Sequence, residues 1–161
     1  MTIKVLFVCT ANLCRSPMAE GVFRSMVKRG GMADAFEIAS AGTSEKFVGQ
    51  SPAPAALEVA ASRGYDISGI RARQVTGDDI SFFDYPLAMD SSHLVEMRWL
   101  APRALIGKPR LFLSFAPPIG VTDVLDPIGG PRAGFERTLS LIEAGCKGLL
   151  ERLAPQVKKA I

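Results

Sequence analysis

Histidine occurs once in the 161-residue chain, tryptophan once and cysteine three times. A structural zinc site wants four closely arranged Cys/His ligands. Cys9 and Cys14 stand near the start, His93 in the middle and Cys146 near the end, so no metal is expected. One histidine also leaves any Ser-His-Asp or Cys-His arrangement dependent on His93 alone. An odd cysteine count without a secretion signal does not suggest a disulfide framework. No apolar run approaches the ~20 residues of a membrane span, and residues 5–9 are too short for a signal-peptide core. No membrane insertion and a cytoplasmic location are the expectations. Charge of one sign is lacking too: 19 Lys+Arg face 16 Asp+Glu, and the basic residues are scattered from Lys4 to Lys159. That is no nucleic-acid footprint, although the net +3 mildly favours anionic ligands. Internal repeats and low-complexity tracts are absent.

What is present is ordinary globular composition, 48% hydrophobic and 22% charged, at a length that suits one domain over residues 1–161. Residues 3–8 form a short apolar run that reads as a buried strand. Ser16 then reads as an N-cap with Pro17 at the first helical position. Ala19, Val22, Phe23, Met26 and Val27 recur at helical spacing until Gly30-Gly31. Further strands are predicted at 36–39, 85–89 and 111–115, and helices at 55–62, from Ser91 or Ser92 to Leu100, and at 134–153. Residues 42–54 and the Pro/Gly-rich 116–132 read as loops. Alternating strands and helices imply a parallel sheet covered on both faces. Ligands in such folds sit beyond the carboxyl ends of the strands.

The segment after Val8 is therefore a prime location: Cys9-Thr10-Ala11-Asn12-Leu13-Cys14-Arg15-Ser16-Pro17. A turn of this length between a strand and a helix start can point several backbone N–H groups at an anion. Positive surroundings favour a thiolate, the nucleophilic form of cysteine, at the strand end. Arg15 closes the loop and can grip two phosphate oxygens through its planar fork. Cys-x5-Arg in this setting points to phosphoryl transfer through a cysteinyl-phosphate. The leaving oxygen then needs a proton, and water later needs a base. Asp126, before Pro127 in the long loop, is the candidate, with Asp123 a rival three residues earlier.

The run V-L-F-V-C-T-A-N-L-C-R-S-P-M-A-E resembles the opening of the low-molecular-weight protein tyrosine phosphatases. The likeness continues through Ser40-Ala41-Gly42-Thr43, Val48-Gly49, Ser51-Pro52, Arg71-Ala72-Arg73-Gln74, Met89-Asp90 and Asp126-Pro127, nearly the whole chain in order. The resemblance implies an α/β fold, a flavodoxin-like doubly wound parallel sheet with helices on both faces. It implies Cys9 as nucleophile, Arg15 as phosphate clamp, Asp126 as general acid and no cofactor. Thr10, Ala11, Asn12, Leu13, Cys14 and Ser16 would form the phosphate loop, with Asn12 and Ser40 holding its shape and Ser16 donating to the Cys9 thiolate. Cys14, present in many relatives, would be a redox partner for Cys9. The implied partner is a phosphorylated protein, with a monomer favoured.

Three positions depart from the family. Ile128 stands where an aromatic residue usually follows Asp-Pro, and Lys46 takes the usual bacterial Trp position, with Phe47 next. These three would form the substrate rim. Ile70 replaces a histidine common before Arg-Ala-Arg-Gln, which would leave Asp90 without a usual partner. Asp126-Pro-x-Gly-Gly is similar to the protein arginine phosphatase branch, but that branch favours Thr where Leu13 stands. Phosphotyrosine is the expected substrate. The alternatives are phosphoarginine, small aryl phosphates, or a phosphate-binding regulatory module with little turnover. Arsenate reductases on this fold need further redox cysteines, and none occurs between Cys14 and Cys146. Cys146 is expected in the core, His93 exposed in a helix's first turn, and Trp99 in the core or at a rim.

Overall fold

The computed structural model describes residues 2–159; Met1, Ala160 and Ile161 lie outside the described residues. Four strands form one sheet in the order β2-β1-β3-β4: β1 (Ile3–Cys9), β2 (Phe36–Gly42), β3 (Tyr85–Ala88) and β4 (Arg110–Leu111). Every pairing is parallel. The helices are α1 (Arg15–Arg29), α2 (Pro54–Ser62), α3 (Gly77–Phe82), α4 (Ser91–Leu100) and α5 (Arg132–Lys159). This is the expected doubly wound sheet in a single domain. No described helix is long and apolar enough to cross a membrane.

Strand periodicity divides the core. Along β1, Val5, Phe7 and Cys9 face one apolar cluster, with α1, α2 and α5, while Leu6 and Val8 face another, with α3 and α4. Successive side chains of a strand point to opposite faces, so a strand buried on both sides must be apolar throughout. Phe7 meets Phe23 and Phe112 edge-on, at centroid distances of 5.9 and 5.5 Å. Cys146 on α5 is fully buried in the first cluster, as expected.

Several expected boundaries move. Helix α1 starts at Arg15, not after Ser16, with Cys14 in the N-cap position and no side-chain cap. Ser16 is thereby drawn into the first turn, where Pro17 is still harmless because those N–H groups have no intrahelical partner. Asp90, not Ser91 or Ser92, caps α4, accepting from the N–H groups of Ser92 and His93. The last strand is only Arg110–Leu111; Phe112–Phe115 winds into a 3₁₀ turn that buries Phe112 completely. Helix α3 was not expected, although Thr76 and Asp79 form the reciprocal cap that marks a helix start. Helix α5 begins at Arg132 and runs beyond Leu153 through Pro155. Trp99, expected in the core or at a rim, projects from α4 at 85% exposure.

The strand order reverses between β1 and β3, because β2 lies on one side of β1 and β3 on the other. A crevice opens there at the carboxyl ends of the strands. The segment between Cys9 and Arg15 fills it.

Candidate active site

The loop is held from beneath by buried polar side chains. Asn12 sits in the left-handed region at φ 58°, which an L-residue enters at a cost of roughly 1 kcal/mol. Its side chain offsets this: Nδ2 donates to Ser16 Oγ at 2.8 Å and Ser40 Oγ at 3.0 Å, and Oδ1 accepts from the Arg73 N–H at 3.1 Å. Ser40 in turn donates to Glu20 Oε1 at 2.7 Å, and Arg24 Nε donates to Glu20 Oε2 at 2.8 Å. The chain of bonds reaches the strand end, where Ser16 Oγ lies 3.0 Å from Cys9 Sγ.

Backbone bonds fasten the loop's outer side. Thr43 N–H donates to Cys9 O, Ser44 N–H to Thr10 O and Ala53 N–H to Leu13 O, each at 2.9 Å. Gly42 is required for this approach, since a Cβ there would lie 2.6 Å from Thr10 O.

Arg15 is 3% exposed. Nη1 donates to Asp90 Oδ2 at 2.8 Å and to Val124 O at 2.9 Å. Nη2 reaches Thr10 Oγ1 at 3.4 Å and stands 3.7 Å from Asp126 Oδ2. Asp90, without the usual histidine at position 70, accepts from Arg15 and from Ser92 and the His93 N–H at its own helix start. Burial pushes its carboxyl up, but bonds from Ser92 and Arg15, with His93 beside it, outweigh that and hold it at about 2.

His93, expected to be exposed, is instead 1% exposed and braces the site. Nδ1 accepts from the Asp90 N–H at 3.2 Å, so the ring proton is on Nε2, which donates to Thr10 Oγ1 at 2.8 Å. Burial pulls its basicity down to about 4; Asp90 opposes this and Arg15 adds to it. The ring is therefore neutral near pH 7, and its 3.3 Å approach to Asp90 Oδ1 is no ion pair there.

The two candidate acids separate clearly. Asp123 Oδ1 is committed to the N–H and hydroxyl of Ser91, at 3.1 and 2.9 Å. Asp126 lines the pocket, with its side chain 43% exposed.

That pocket holds about 240 Å³ and is lined by Cys9, Thr10, Ala11, Leu13, Cys14, Arg15, Phe47, Asp126 and Ile128. Lys46, expected at the rim, is exposed and does not line it. Asn12, Ser16 and Ser40 are buried supports. All three cysteines are free. Burial first, then Cys9 and Asp126, push the Cys14 thiol up to about 12, against the pull of Arg15. Among the described residues no group of His, Cys, Asp and Glu could hold a metal ion. Sequence reasoning quoted Glu20, Gly42 and Arg73 within resembling stretches but gave them no role, and it missed the burial of His93. Glu20 also carried a local signal, its i,i+4 spacing to Arg24 on α1.

A doubly wound sheet whose first strand delivers a cysteine into an arginine-closed anion loop defines the class of cysteine-dependent phosphatases. The chain belongs to the low molecular weight phosphotyrosine protein phosphatase family, whose sequence model matches residues 4–159. It is 42% identical to a low molecular weight protein-tyrosine-phosphatase of Streptomyces coelicolor, over 98% of each chain. A protein tyrosine phosphatase from Entamoeba histolytica has a solved structure that superposes with a TM-score of 0.92 at 32% identity, over 96% of this chain and 99% of that one. YfkJ from Bacillus subtilis superposes at 0.91 and 33% identity, over 97% of each chain.

Proposed function

We propose that this chain hydrolyses phosphotyrosine in proteins through a cysteinyl-phosphate. The carrying observation is that Cys9, Arg15 and Asp126 line one slot whose walls are Leu13, Phe47 and Ile128. A ring fits between apolar walls while its phosphoryl group meets the loop. Cys9 attacks phosphorus as a thiolate, and the single proton of Ser16 turns to its sulfur. The bond from phosphorus to the tyrosyl oxygen breaks, and Asp126 in its acid form protonates that oxygen. Arg15 and the loop N–H groups stabilise the charge on the equatorial oxygens. Asp126, now a carboxylate, takes a proton from water as water attacks phosphorus, the S–P bond breaks and phosphate leaves. One chain supplies every group of this scheme. If Cys9 is oxidised to a sulfenic acid, the Cys14 thiol in the same pocket would form a disulfide with it and release water. A nucleophile that is a free thiol suits a reducing compartment, the cytoplasm.

The test is phosphate release from a phosphotyrosyl peptide, with a chelator present and Cys9→Ser as the blank. Release by the parent alone is expected. No release from fully reduced protein, with release from a phosphoarginyl peptide, would reassign the substrate. Release from neither, with phosphate still bound, would make the chain a binding module.

A further inference from the structure

The single tryptophan is the most anomalous side chain on the surface. Trp99 is 85% exposed, more than any other large apolar residue described. It does not stand alone: Val95, one helical turn earlier, and Ile106 are 54% and 46% exposed. With Arg98, Ala101 and Arg103 they line a cleft of about 490 Å³. Scattered exposed apolar residues need no explanation, whereas a contiguous, polar-rimmed set marks an interaction site. Tryptophan and arginine are the residue types that dominate binding hot spots.

The charged residues that line the cleft, Arg98 and Arg103, have one sign, although Glu96 is exposed nearby on the same helix. From residue 97 to residue 122 the sequence holds Arg98, Arg103, Lys108 and Arg110 and no carboxylate. Among the described residues neither Arg98 nor Arg103 is in an ion pair. The complementary partner is acidic and brings an apolar side chain for the cleft. Two copies of this chain would not suit it. Across a two-fold axis the same patch meets itself, so the unpaired guanidinium groups would oppose each other. A lipid surface would not suit it either. Helix α4 has only ten residues and turns His93 and Met97 into the core, so it lacks the broad apolar face of an interfacial helix.

Helix α4 links the cleft to residues that brace the catalytic pocket. Asp90 and His93 at the start of α4 hold Arg15 and Thr10. At 1.5 Å per residue, Trp99 lies about 13 Å along the helix from Asp90. We propose that the Trp99 cleft is a docking site for an acidic, leucine- or isoleucine-bearing segment of the phosphoprotein substrate, engaged beside the phosphotyrosine and not within its slot. The choice of partner rests on the phosphatase reading above; the cleft's ligand chemistry does not.

Because Trp99 is the only tryptophan, its emission reports the cleft directly. The probe is a short, unphosphorylated Glu/Asp-rich peptide with one leucine, titrated at low salt into the intact protein. A saturable blue shift is expected, weakened by salt, lost in the Arg98→Glu/Arg103→Glu double variant and unchanged by saturating inorganic phosphate. No shift, or an equal shift with a Lys-rich peptide, overturns the proposal. So does a shift seen only with phosphatidylserine vesicles, or one that tracks protein concentration without peptide. In the kinetic arm, Trp99→Ala should raise KM at least tenfold for a phosphotyrosyl peptide carrying that acidic stretch. It should leave kcat, and all constants for a small aryl phosphate, unchanged. An unchanged KM overturns docking of substrate. A parent that hydrolyses no aryl phosphate overturns the phosphatase reading instead, and the emission titration still decides the cleft.

Discussion

Asp126 is the most solvent-accessible of the three proposed catalytic side chains, with Oδ2 3.7 Å from Arg15 and Oδ1 accepting from the Ile128 N–H at 3.1 Å. Asp126→Asn cannot supply a proton, so a loss of about 10²–10⁴ in kcat is expected with a tyrosyl leaving group. The loss should shrink across a series of aryl phosphates as the leaving phenol becomes more acidic. An equal loss across the series would assign the proton to another group. Residues of this kind differed in how visible they were. Cys9 and Arg15 bracket one short segment between a predicted strand and a predicted helix, so spacing in that context pointed to them, while the role of Ser16 came from the family resemblance. His93 looked like a surface residue because its partner Thr10 is 83 positions away, and only the fold reveals that the ring is enclosed. Lys46 and Phe47 are neighbours, yet only Phe47 turns to the slot. A loop's local course decides that, and no periodicity encodes it.

At the scale of elements, the anion loop depends on the strand beside it. Gly42 ends β2 against the backbone of Thr10, Ala11 and Asn12. Gly42→Ala forces that backbone outward, and overpacking of this kind costs about 1–3 kcal/mol. The expected outcome is a lower melting temperature together with at least tenfold weaker competitive inhibition by inorganic phosphate. A variant that melts lower but binds phosphate normally would show that the strain is absorbed outside the loop. The elements themselves were mostly legible. Long periodic segments such as α1 and α5 announce themselves, whereas α3 has only six residues and β4 only two. Segments that short take their structure from what they pack against. Residues 111–115 illustrate the point: apolar and β-prone, they still wind into a 3₁₀ turn that seats Phe112 against Phe7.

For the whole molecule, the buried polar groups set how stability follows pH. His93 holds its proton only below about 4 when folded, against an ordinary 6.5. Between those values the unfolded chain binds a proton that the native state refuses. Stability therefore falls as the pH drops through that window, by on the order of 3 kcal/mol. Asp90 acts in the same direction at lower pH. Its carboxyl is held at about 2 against 3.8, so the stability it gives is present above 3.8 and lost as the pH falls towards 2. Denaturant melts from pH 7 to 4 should show the His93 slope, and His93→Gln should flatten it. A parent whose stability is level from pH 6.5 to 4 would mean that the ring titrates as if exposed.

The bonds beneath the anion loop carry one more consequence. Asn12, Ser16 and Ser40 satisfy one another, and the backbone of residues 43, 44 and 53 is fastened to the loop. A receptor braced by the protein's own bonds spends little ordering entropy when it binds. Such a seat recognises a tetrahedral oxyanion by shape, whether that anion is still attached to a side chain or has already left it. The enzyme would thus be held back by its own product, and ambient phosphate would act as a brake on its turnover.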